Sequence, residues 1–258
     1  MQLTFYKYHG TGNDFIIIDN RNAGIQLSRS QVAQLCHRRF SIGADGLMLL
    51  ENAEGYDFRM VYYNADGNES TMCGNGGRCI IAFAHKLGLI HDTATFLAID
   101  GTHTAIINTD NTISLHMQDV SGIERHDNHT ILNTGSPHYV TWVNDVQDTD
   151  VYTEGRRIRY SEPYMPAGIN VNFVQLLDGK LWVRTYERGV EDETLSCGTG
   201  VTASAIAATA VATGSFNTLI NTPGGQLQVS FTKATPDTAG DVILTGNAVF
   251  VYEGKVEL

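Results

Sequence analysis

The stretches "CGNGGRCIIAFAHKLG" (residues 73–88) and "CGTGVTASAIAATAVATG" (197–214) share one construction: a cysteine, then Gly-x-Gly, then an apolar run closed by glycine. The chain has four cysteines, and two of them open these matching segments. The runs predict helices over 74–87 and 198–213, with Gly88 and Gly214 in the position where a left-handed residue ends a helix.

Working outward, more of the chain repeats. "TGNDF" (11–15) and the strand-like "DFRMVYYN" (57–64) precede Cys73, and "TGSPH" (134–138) and "LWVRTYER" (181–188) precede Cys197. Thr134 follows Thr11 by 123 residues, Glu187 follows Asn64 by 123, and Cys197 follows Cys73 by 124. One sustained offset over several landmarks indicates two copies of a single structural unit. Between them lie short runs of β-branched and aromatic residues, among them "FIIID", "TFLAID", "HTAIINT", "NTISLHM", "NFVQLL" and "LQVSF", separated by turn-forming residues. The expected fold is α/β of the α+β type. It has two pseudo-symmetric lobes, each a mostly antiparallel or mixed sheet wrapped around a central helix, with a further helix over 28–39. The polar stretch "QDVSGIERHDN" (118–128) reads as the linker between lobes.

Composition narrows the function. A 258-residue chain with 42% hydrophobic and 17% charged residues is globular. A net charge of −11 argues against nucleic acid and anionic membrane as partners, because both require clustered Lys and Arg. No signal-peptide pattern opens the chain and no apolar window approaches a membrane span, so the chain reads as cytoplasmic. The cysteines show neither C-x-x-C nor Cys/His zinc spacing, which leaves no metal site and directs attention to thiol chemistry in a reducing compartment.

A cysteine at a helix start meets main-chain N–H groups without internal partners and the positive end of the helix dipole, and both stabilise an anion there. A thiolate qualifies, and so does a substrate carboxylate approaching over glycine. Cys36 in "QLCHRRF" and Cys79 read as small buried hydrophobes. Cys73 and Cys197, in equivalent positions, read as a pair. One sulfur could take a proton from one face of a carbon while the other returns a proton to the opposite face, which inverts a stereocentre. "GTGNDF" lacks the full dinucleotide fingerprint and no phosphate-binding loop is present, so no cofactor is signalled.

Several motifs in order then resemble the diaminopimelate epimerase family: "HGTGNDF" (9–15), "GADGL" (43–47), "YNADG" (63–67), "CGNGGRC" (73–79), "TGSPHYV" (134–140), "NVNFVQ" (170–175), "ERGVEDETLSCGTG" (187–200) and the terminal "VFVYEGKVEL". The resemblance covers nearly the whole chain. It implies a first lobe over 1–119 joined by a returning strand at 248–258, a second lobe over 120–247, and an active site in the cleft between them. It also implies a cofactor-independent isomerase, free of pyridoxal phosphate, that converts LL-2,6-diaminopimelate to the meso isomer in lysine and peptidoglycan precursor biosynthesis. By the same resemblance, Cys73 and Cys197 are the catalytic pair, and Gly74, Asn75, Gly198 and Thr199 cradle the reacting α-carboxylate. Asn13, Asn64, Asn170, Glu187 and Arg188 read the rest of this diamino dicarboxylate, and a homodimer is expected. His138 orients or pairs with Glu187, or is a structural histidine.

The chain departs from many relatives at Ser136, where they carry Asn, and from some at Gly46, where they carry Gln. Two other readings remain open: a two-cysteine racemase acting on proline or hydroxyproline, which would leave Glu187 and Arg188 without purpose, and a non-catalytic thiol redox protein.

Overall fold

The computed structural model describes residues 2–22 and 24–258; Met1 and Ala23, within the segment expected for the first lobe, lie outside the described residues. The chain forms two compact units, Met1–Leu115 with Gly246–Leu258, and His116–Thr245.

The first unit begins with β1 (Gln2–Gly10), β2 (Asn13–Asp19), α1 (Arg29–Cys36), β3 (Gly46–Glu51) and β4 (Phe58–Asn64). It continues through α2 (Gly74–Lys86), β5 (Thr93–Ala98), β6 (Gly101–Ile107) and β7 (Ile113–His116). From β1 to β6 the neighbouring pairs run antiparallel, parallel, antiparallel, parallel, antiparallel. Each parallel step is crossed by a helix, as a parallel connection requires: α1 between β2 and β3, α2 between β4 and β5.

The second unit holds the short strands β8 (Val120–Ser121) and β9 (Glu124–Arg125), then β10 (His129–Asn133), β11 (Pro137–Trp142), α3 (Val151–Arg159), β12 (Asn170–Leu177) and β13 (Lys180–Glu187). β14 (Asp192–Thr194), α4 (Gly198–Ala208), β15 (Gly214–Thr222), β16 (Gly225–Lys233) and β17 (Thr238–Gly246) complete it. Its sequence of pairings from β10 through β11, β12, β13 and β15 to β16 is the same alternation. The repeat read from motif spacing is therefore a repeat of topology, with α3 and α4 standing where α1 and α2 stand. The last strand, β18 (Val249–Glu257), belongs to the first unit and runs antiparallel to β1.

Strands β2 and β3 are buried on both faces, and this explains why "FIII" and "LMLL" are continuous apolar runs rather than alternating ones. One face, with Ile16, Ile18, Leu47 and Leu49, packs on Val32 and Leu35 of α1. α2 is buried nearly all round, from Gly74 to Ala84 apart from Ala82, the behaviour of a central helix. α4 is a second such helix, built largely of Gly, Ala, Thr and Ser, and its Val201, Ala203 and Ile206 lie in a core with Val140, Val174 and Val183. α3 covers a separate core of Val171, Phe173 and Tyr186. At Gly155 of α3 an added Cβ would lie 2.3 Å from the Cβ of Tyr186, so helix and strand touch backbone to ring.

The structure corrects three expectations. α1 stops at Cys36 and not at 39, because His37 is already extended (φ −71°, ψ 113°). α4 stops at Ala208, five residues before 213: Ala210 has φ +46°, and the buried Lys233 donates to its carbonyl at 2.7 Å and to Thr209 Oγ1 at 3.1 Å. Gly214, expected to close that helix, instead opens β15. The stretch 118–128 is no free linker, since Val120 and Ile123 are buried in the α4 core and β9 pairs with β10. Gly88 does stand just past α2 with φ +71°. No helix among the described residues is long and apolar enough to cross a membrane.

Candidate active site

In the first unit Cys73 is the N-cap of α2, with φ −105° and ψ 146°, and its sulfur accepts the Gly76 N–H at 3.2 Å. This places Cys73 Sγ against the donor-rich end of a buried helix, where negative charge on sulfur is favoured. The glycines have a steric reason: a Cβ on Gly76 would lie 3.3 Å from Cys73 Sγ, and one on Gly77 would lie 2.9 Å from both Leu115 Cδ2 and Met72 Sδ. Asn75 is buried beside Gly74, and its side-chain N–H donates to Asn13 Oδ1 at 3.3 Å. Asn64 ends β4 as an exposed residue opposite Gly46 of β3. Gly46 has no room for the glutamine of some relatives, because any Cβ there would sit 2.6 Å from the Tyr62 ring and 2.7 Å from the Tyr63 carbonyl oxygen.

In the second unit Cys197 is the N-cap of α4 and is buried. Its sulfur stands 3.4 Å from the Thr199 hydroxyl, which is 2.9 Å from His138 Nε2. The direction of this chain follows from its far end. Thr185 Oγ1 donates to Asn172 Oδ1 at 3.0 Å, and Asn172 Nδ2 donates to the Tyr139 carbonyl and to His138 Nδ1 at 3.0 Å. With Nδ1 accepting, His138 carries its proton on Nε2 and donates it to Thr199, whose own hydrogen is then directed at Cys197 Sγ. His138 is fully buried, and burial, with Arg188 nearby, pulls its pKa down to about 3, so the ring is neutral. Its hydrogen-bond partners include Thr199 and Asn172. Asn172 and Thr185 escaped the sequence reading. Asn172 shares a strand face with Asn170, and a second asparagine at a spacing of two in an apolar strand was the available signal.

Asn170 Oδ1 accepts the Arg188 main-chain N–H at 2.8 Å, and its Nδ2 donates to Ser136 Oγ at 2.8 Å. Arg188 Nη2 reaches the same hydroxyl at 3.4 Å and Nη1 the Ala167 carbonyl at 3.2 Å. Ser136 thus ties Asn170 to Arg188 at a place where a longer asparagine stands in many relatives. Glu187 accepts the Thr194 hydroxyl at 3.0 Å. Within this unit the structure ties Ser136, Asn170 and Arg188 into one connected set and joins His138 to Thr199.

The other two cysteines differ in kind. Cys36 and Cys79 are buried within packed cores, and burial raises both thiols, Cys36 to about 12, so they stay protonated. None of the four cysteines is joined in a disulfide. Among the described residues no group of three or more His, Cys, Asp or Glu is disposed to hold a metal ion.

Solved structures share the fold. The chain shares its fold with a PhzF-family phenazine biosynthesis protein of Bacillus anthracis (TM-score 0.81, 14% identity, all of both chains). It does so also with a probable proline racemase of Agrobacterium radiobacter (TM-score 0.70, 14% identity, 99% of this chain and 93% of that one). Sequence relatives are closer. The diaminopimelate epimerase of Flavobacterium psychrophilum is 54% identical over 98% of this chain and all of its own, and that of Chlorobaculum tepidum is 43% identical over 96% and 99%. The diaminopimelate epimerase family model matches residues 5–122 and 130–251, and the chain belongs to that family of isomerases.

A histidine held neutral in the fold but free to protonate when unfolded makes stability fall with acid, because the unfolded chain binds the proton first. Between pH 6.5 and about 3 the His138 contribution is progressively lost. His138→Gln should therefore show a flatter dependence of Tm on pH across that window than the parent, measured by circular dichroism melts. Parallel curves would remove the assignment of a buried neutral imidazole.

Proposed function

We propose that the protein epimerises LL-2,6-diaminopimelate to meso-diaminopimelate by proton transfer between two cysteines and the α-carbon. The observation that carries the reading is that each unit places a cysteine at the N-cap of its buried helix, at the same step of the same topology. One sulfur, as thiolate, takes the α-proton. The C–H bonding pair passes into the α-carboxylate as an enediolate, and the opposite thiol delivers its proton to the other face. Thiolate and thiol have then exchanged roles, and atoms and electrons balance without an oxidant. Main-chain N–H groups at Gly74, Asn75, Gly198 and Thr199 hold the carboxylate as its charge grows. The Thr199 hydroxyl, directed by His138, supports negative charge on Cys197. Asn13, Asn64, Asn170, Glu187 and Arg188, with Ser136 as the tie, hold the distal amino-acid head, and the guanidinium fork suits its carboxylate. A proline-type substrate would leave those groups unmatched.

The family resemblance supports a role in lysine and peptidoglycan precursor synthesis, and we read the protein as a cytoplasmic homodimer on the same resemblance. The apolar residues Val249 to Tyr252 exposed on β18 are the kind of surface that an association covers. Light scattering should give twice the mass of the 258-residue chain, and a monomer at working concentration would remove the dimer.

Cys73→Ala and Cys197→Ala should each lose epimerisation by about a thousandfold or more, whereas Cys36→Ala and Cys79→Ala retain it when folded. In deuterated water the parent should place one deuterium at the inverted α-carbon of product without added pyridoxal phosphate. Near-parental turnover by either Cys73→Ala or Cys197→Ala removes the two-base reading. Arg188→Lys should lower kcat/KM for LL-diaminopimelate by about 10- to 100-fold, since an ammonium cannot replace a bidentate fork. An unchanged specificity constant would place Arg188 outside the distal site.

A further inference from the structure

In the first unit a chain of side chains runs from a buried cation to an anion through two amides. Arg78 of α2 is fully buried, and its Nη1 donates to the Gly74 carbonyl at 3.0 Å and its Nη2 to Asn75 Oδ1 at 2.9 Å. Asn75 Nδ2 donates to Asn13 Oδ1 at 3.3 Å, and Asn13 Nδ2 donates to Asp45 Oδ2 at 2.7 Å. Asp45 is itself held, by Arg38 Nη2 on Oδ1 at 2.6 Å and by the Asp14 main-chain N–H on Oδ2 at 3.2 Å. Lys7 pins the same corner, 2.8 Å from the Asp14 carboxylate and donating to the Gly43 carbonyl.

The charges at the two ends dictate the direction of both amides. A guanidinium has only donors and must face an amide oxygen, whereas a carboxylate has only acceptors and must face an amide N–H. Turning Asn75 over would set donor against donor at Arg78, and turning Asn13 over would set acceptor against acceptor at Asp45. Among the described residues the arrangement occurs once. At the repeat-equivalent position the second unit has Thr202, which grips the Gly198 carbonyl at 2.9 Å as Arg78 grips Gly74 but carries no charge.

We infer that Arg78, acting through the Asn75 side chain, and Asp45 are positioning residues that set the amide direction of Asn13, and thereby which polarity of substrate group this half of the site accepts. The inference rests on the proposed role of Asn13 in binding diaminopimelate. The exposure of Asp45 and Arg38, with side chains 43% and 58% accessible, separates positioning from stability, because an ion pair so open to water contributes little to folding.

Asp45→Asn keeps the shape of the side chain but lets the Asn13 amide lie either way. KM for LL-diaminopimelate should rise about tenfold, as loss of a charged hydrogen bond allows, while kcat stays within about threefold because binding apart from the reacting carbon is what weakens. Tm should barely move, and Asp45→Glu, which retains the acceptor, should recover most of the loss. Asp45→Ala serves as the second variant should the amide fail to fold. In an Asn13→Ala background no amide remains to be directed, so Asp45→Asn should shift the calorimetric Kd by less than about twofold. A KM for folded Asp45→Asn or Asp45→Ala within about twofold of the parent, or an equal loss in both backgrounds, overturns the inference. A parent enzyme that fails to turn over LL-diaminopimelate overturns the proposed function instead.

Discussion

Everything in the site depends on a sulfur at the first turn of a helix that water does not reach. A helix dipole exposed to solvent is screened within its terminal turn, so an N-cap cysteine gains most where the helix is enclosed. α2 and α4 meet that condition through their packing, and α4 does so with residues so small that the surrounding strands close on its backbone. The cost is crowding at the helix start. Gly200 shows it: a Cβ there would lie 2.4 Å from Asn172 Oδ1, the atom through which Thr185 orients the asparagine behind His138.

Much of this was legible in the chain itself, for physical reasons. Cys-Gly-x-Gly ahead of an apolar run carries its own helix start, and Gly88 its own stop, so α2 was readable to within a residue. α3 was missed because "VYTEGRRIR" is polar over most of its length, with Val151 and Ile158 as its apolar core residues and a glycine at its centre. That glycine is explained only by the Tyr186 ring lying against it. The end of α4 was misjudged because the side chain that caps it, Lys233, lies on a distant strand, and no local propensity records a bond made across the fold. In the same way the motifs named His138 and Thr199 separately, and the link between them exists only because α4 packs on β11.

The equivalence of the two units also shows where they part. Phe15 occupies the strand position of His138, and a Cβ on Gly76 would touch Phe15 and Met48 where one on Gly200 would touch Asn172 and Thr185. Behind Cys73 the neighbours are a ring and a thioether, with Arg78 further along the helix; behind Cys197 they form a neutral hydrogen-bonded relay. One topology thus gives its two sulfurs unlike surroundings.

The position of β18 has a consequence for synthesis. The second unit is continuous from His116 to Thr245, so all of its residues have been made before β18 emerges. The first unit, begun earlier, must wait with one edge of β1 unpaired while the second is translated, because the strand that covers that edge comes after it in the chain. An open edge beside Leu3 and Phe5 is a template for pairing with another chain. The order of completion is thus the reverse of the order of synthesis, and the interval between them is when the nascent protein most needs protection from aggregation.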